Sequence, residues 1–82
     1  MGKDGDDQLK LFYASKHNLQ IVNGEYEPRW TEMPEPHTRC HDLIAAKANI
    51  DQLRKIDAKF GDKIFKAVRI RDELDIYNEF TS

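Results

Sequence analysis

The residues best equipped for chemistry crowd into one short stretch. Glu35-Pro-His-Thr-Arg-Cys-His41 holds two of the three histidines and the single cysteine. Two imidazoles and a thiolate are good ligands for zinc or copper. On a helix His37 and His41, four residues apart, project from one side with Cys40 beside them. His37, Cys40 and His41 therefore define a metal-dependent reading. A thiolate at the amino end of a helix is also favoured in its ionised form, which makes a reactive thiol a related reading. Both need more than the stretch supplies. A structural zinc site takes four protein ligands, so His17, Glu32 or Glu35 would have to complete it, and neither paired cysteines nor His-Glu-x-x-His occurs. The plainer assignment has Thr38 capping a helix, Asp42 suiting its positive end and Cys40 acting as a small buried hydrophobe. It is the one adopted, with no metal or cofactor expected.

The elements that must position these residues follow from periodicity. Residues 1–7 contain only Met1 as an apolar side chain other than glycine and are expected to be disordered, leaving 8–80 as one domain. From Gln8 to Ala14, Leu9, Leu11 and Tyr13 alternate with Lys10, Phe12 and Ala14, which predicts a strand. Asn23-Gly24 between Leu19–Val22 and Glu25–Glu27 is a type I′ hairpin signal, with Ile21 opposite Tyr26 and Leu19 opposite Pro28. After Pro36 the period changes. Leu43, Ala46, Ile50, Leu53 and Phe60 recur at helical spacing, predicting a helix over roughly 37–60 that ends at Gly61. In the tail, Ile64, Val68, Ile70, Leu74 and Ile76 share one parity. A strand is predicted over about 64–71, continuing past a bulge near Asp72-Glu73, with a short helix over 72–80 as the alternative. The expected fold class is α+β: a small antiparallel sheet in β-β-β-α-β order with one long helix across one face.

Composition narrows the function. At 82 residues with 39% hydrophobic and 34% charged side chains, little apolar surface is spare for a roomy substrate cavity, and the chain is expected not to be an enzyme. A lone cysteine cannot form an internal disulfide, no apolar run approaches a membrane span, and the first residues are polar and acidic, which leads to a cytoplasmic expectation. The net charge of −2 conceals segregation. Residues 45–71 carry eight basic and three acidic side chains, whereas residues 72–82 carry four acids and no base.

That basic block supplies a nucleic-acid reading through Lys47, Arg54, Lys55, Lys59, Lys63, Arg69 and Arg71, because phosphate binding needs several cations on one surface. Arg69 and Arg71 share a strand face, but that face is expected to lie away from the helical lysines, and no nucleic-acid-binding motif is present. The eight aromatics offer a stronger signal. One helix covers only one sheet face, and the parities of Phe12, Phe65 and Trp30 suit the other. Aromatics beside arginines are the composition of a protein interface. The favoured expectation is a non-enzymatic interaction module, accessory or regulatory in the manner of small phage and mobile-element proteins by analogy of size alone. It would bind a protein partner or a second copy through its open sheet face at Trp30, Phe65, Arg69 and Arg71. Nucleic acid is the second reading, metal chemistry the third, and no membrane contact is expected.

Overall fold

The structure is a computed structural model that describes residues 8–81; the expectation of disorder for residues 1–7 falls outside them. The chain folds as α+β, a small antiparallel sheet with one long helix across one face. The strands are β1 (Leu9–Ser15), β2 (Leu19–Val22), β3 (Glu25–Pro28), β4 (Thr31–Glu32), β5 (Arg39–Cys40), β6 (Lys63–Arg69) and β7 (Leu74–Asn78), and the helix α1 is Leu43–Ile56. The main sheet runs β4-β1-β6-β7, with β5 also paired to β1.

Strand β1 is central because both its edges are used. One is paired along its length with β6, from Leu9 opposite Arg69 to Ser15 opposite Lys63. The other is shared. β4 takes Phe12 and Tyr13, and β5 takes Leu9 and Lys10. Between them the Met33 amide donates to the Leu11 carbonyl at 2.9 Å and the Leu11 amide to the Thr38 carbonyl at 2.7 Å. Residues 34–37 thus form a loop off an almost continuous edge.

The alternation in β1 resolves as expected. Leu9 and Leu11 join Ala46, Ile50, Leu53 and Phe60 in the core, with Tyr13 packed against it. Tyr13 meets Phe60 edge-on at 5.2 Å, and Phe60 lies 5.9 Å from Phe65. In β6 the expected parity is reversed. Phe65, fully buried, and Ala67 face the helix, whereas Lys66 and Val68 turn away from it. Pairing decides this. Leu11 stands opposite Ala67 and Tyr13 opposite Phe65, so the inward face of β1 dictates the inward face of its neighbour.

Three boundaries differ from the sequence reading. The helix begins at Leu43, because residues 39 and 40 are claimed by the edge of β1. Its N-cap is Asp42, whose Oδ1 accepts from the Ala45 amide at 2.9 Å; Thr38 is a buried turn residue instead. The helix ends four residues before Phe60, at Asp57, whose extended backbone stops it while its carboxylate accepts from the Lys59 amide. A 3-10 turn over Ala58–Phe60 then carries Phe60 into the core, so the apolar period outlives the helix. Gly61 ends that turn, not α1. The tail is a hairpin. β6 turns at 70–73, Glu73 adopts a φ of 58°, and β7 returns along β6 with its register irregularity at Ala67/Val68. Neither a closing helix nor a bulge at Asp72-Glu73 forms.

The Asn-Gly hairpin has the expected register, Ile21 opposite Tyr26 and Leu19 opposite Pro28, with positive φ at both Asn23 and Gly24. It belongs to a separate two-stranded sheet, closed at its base by the Arg29 amide donating to the Asn18 carbonyl at 3.3 Å.

Candidate interaction site

Lys10, Phe12, Lys66, Val68, Ile70 and Glu73 line an open groove of about 390 Å³ on the sheet face away from α1. Cross-strand registry builds it, since Phe12 sits opposite Lys66 and Lys10 opposite Val68. The Lys66 ammonium lies 5.4 Å from the centroid of the Phe12 ring and 5.1 Å from that of Trp30, sandwiched between two aromatic faces. Its stem covers the rings while its head reaches the Asp75 carboxylate at 3.9 Å. Lys10 reaches Glu32 at 3.7 Å. The result is an apolar floor under a cationic rim, with loosely held carboxylates at its edge.

The four residues expected to meet a partner do not assemble. Trp30 lies half-buried on the open face, as its parity suggested. Phe65 is the correction: it is fully buried on the opposite face, with the Arg54 guanidinium 5.1 Å from its ring centroid. Arg69 ends β6 and donates from Nε and Nη2 to Asp72 at 3.1 and 2.9 Å, which holds the Asp72 carboxyl below the usual carboxylate range. Arg71 is exposed in the turn beyond it. Phe12 was visible from parity. Lys66, Val68 and Ile70 were missed as site residues because the β6 parity was inverted. The pairing of Phe12 with an aliphatic–cationic run in β6 is the signal that could have found them.

The basic block is also dispersed. Arg54 turns inward, giving Glu79 two bonds at 2.7 and 3.2 Å and the Lys63 carbonyl one at 2.8 Å. The Lys63 ammonium lies 3.7 Å from Asp62. Lys47 lies over Tyr77 and Lys59 over Phe60, while Lys55 is exposed on the helix. Several of these cations thus hold the fold together and do not present a phosphate-binding surface.

At His37, Cys40 and His41 the helical spacing that would have joined them is absent. His37 lies in the loop, Cys40 in β5 and His41 before the helix cap. Cys40 is buried and accepts from Asn49 Nδ2 at 3.3 Å. Burial pushes its thiol up, the Asn49 bond opposes this, and nearby Asp42 adds to it. Among the described residues no group of three or more His, Cys, Asp or Glu side chains is gathered to hold a metal. No helix is long and apolar enough to cross a membrane among those residues. Compared with protein-family models, curated proteins and solved structures, the chain matches none.

Proposed function

We propose that the chain is a non-enzymatic interaction module, accessory or regulatory and cytoplasmic, that binds protein through its open sheet face. One observation carries this reading: a groove floored by Phe12, Val68 and Ile70, rimmed by Lys10 and Lys66, on a sheet covered by a helix on its other side only. Apolar area with a cationic rim suits a protein surface, since desolvated aromatics supply affinity and peripheral charges select the partner. The groove lining contains two lysines and one glutamate but no histidine, serine or cysteine that could form a nucleophile–base pair. The lone thiol of Cys40, buried and pushed towards its protonated form, suits a reducing compartment.

The test is capture from a native extract by immobilised wild-type chain and by Phe12→Glu, with and without nuclease. The expected result is a protein, a second copy included, retained by the wild type after nuclease treatment and lost with the variant. Retention that disappears on nuclease treatment, or that Phe12→Glu leaves unchanged, would overturn the reading.

A further inference from the structure

The β2–β3 hairpin is amphipathic yet stands apart from the main sheet. Leu19, Ile21, Tyr26 and Pro28 share one face, and Gln20, Val22, Glu25 and Glu27 the other. Pro28 is buried at the base, but Ile21 and Tyr26, directly opposed near the tip, are 65% and 67% exposed. An apolar face on a two-stranded ribbon normally packs on something, because an isolated ribbon is marginally stable in water.

We propose that this arm occupies the open groove of a second copy, so that two chains exchange arms reciprocally about a two-fold axis. The inference rests on the open face being a protein-binding surface and names its occupant. Charge complementarity supports it. Between Leu19 and Pro28 the arm has two carboxylates and no cation, whereas the groove lining has Lys10 and Lys66 against Glu73. An acidic arm is therefore drawn towards the groove. Each lysine already has one carboxylate near it, but an ammonium carries three donors and these contacts are long, at 3.7 and 3.9 Å. Area distinguishes this arrangement from the simpler one in which two arms stack on each other. The exposed side chains of one arm offer on the order of 300 Å². Two stacked arms would bury on the order of 600 Å² in total, well short of the roughly 1,200 Å² of a stable interface, whereas two arm–groove contacts approach it. Reciprocal exchange also closes the assembly at two, since each copy's arm and groove are both used.

Two variants separate the halves of the contact: Ile21→Ser/Tyr26→Ser disables the arm and leaves the groove, and Phe12→Glu disables the groove and leaves the arm. Light scattering of the wild type at about 100 µM should give twice the 9.6 kDa chain mass, with self-association weakened at least about thirtyfold in either variant. Then ¹⁵N-labelled Ile21→Ser/Tyr26→Ser is titrated with unlabelled Phe12→Glu chain. Amide shifts are expected at Lys10, Lys66, Val68 and Ile70, and none when the unlabelled chain is also arm-disabled. If Phe12→Glu loses the wild-type circular dichroism, Lys66→Glu takes its place. A monomeric wild type, or a mixture that leaves the groove amides unmoved, overturns the exchange. A monomer that still captures a different protein through Phe12 would leave the broader reading standing without it.

Discussion

Glu79 is the side chain on which most of the interior polar bonding converges. Its carboxylate accepts from both terminal nitrogens of Arg54, from Tyr77 Oη at 2.7 Å and from the Phe65 amide at 2.9 Å. Burial alone would raise its acidity constant, but the bonds from Arg54, Tyr77 and Phe65 outweigh burial and hold the carboxyl below its ordinary range. Tyr77 moves the other way, pushed up by burial and by donating to a carboxylate. A lowered folded-state value means that Glu79 stabilises the fold fully above its unfolded value of about 4.3, and that this contribution is lost as pH falls through the folded value. Glu79→Ala should cost roughly 2–3 kcal/mol in urea unfolding at neutral pH, because it leaves the Arg54 charge without its partner. Glu79→Gln should flatten the fall in stability between about pH 5 and pH 3. An unchanged acid limb would remove Glu79 from this role. Cys40 makes a second prediction at this scale. Its thiol should react with a neutral disulfide reagent only as fast as the protein opens, so the native rate should rise with urea in step with unfolding.

At the scale of elements, caps and turns decide where the chain changes direction. Asp42→Ala should lower stability by about 1 kcal/mol through the lost bond to the Ala45 amide, while Asp42→Ser should recover most of it. Gly24 has a φ of 83° with open space around its missing Cβ, so alanine there meets no clash but does meet backbone strain of roughly 1–2 kcal/mol. Because β2–β3 is a sheet of its own, Gly24→Ala should speed amide exchange in the hairpin and leave protection in β1 and β6 nearly unchanged. Equal loss of protection in both sheets would mean that the arm and the body open as one unit.

For the molecule as a whole, the two faces of one sheet have opposite duties. Phe65 and Phe12 are both aromatics in adjoining strands, yet one lies under the helix and the other on the groove floor. Phe65→Ala should remove about 3–5 kcal/mol, a large share of the stability of so small a domain. Phe12→Ala should leave a folded chain with a much smaller loss and an impaired groove. Thermal unfolding of the pair is the measurement, and similar losses at both positions would show that the open face is part of the core.

Local chemistry by itself determined the α+β class, the β1 alternation and the Asn-Gly hairpin with its register, because each depends on periodicity or on positive φ within a few residues. It also placed the change from extended chain to helix near EPHTRCH. What only the tertiary structure decided was which side of each element faces inward. In β6 both parities offered apolar residues, and pairing Leu11 with Ala67 and Tyr13 with Phe65 chose between them. Cys40 went to a strand because the free edge of β1 could satisfy its backbone, a partner thirty residues away in sequence. Arg54 and Glu79, twenty-five residues apart, became one ion pair only when β7 folded back beside β6. Burial and charge pairing are properties of contacts between distant segments, so they set the interior network and the open groove while local pattern set the elements.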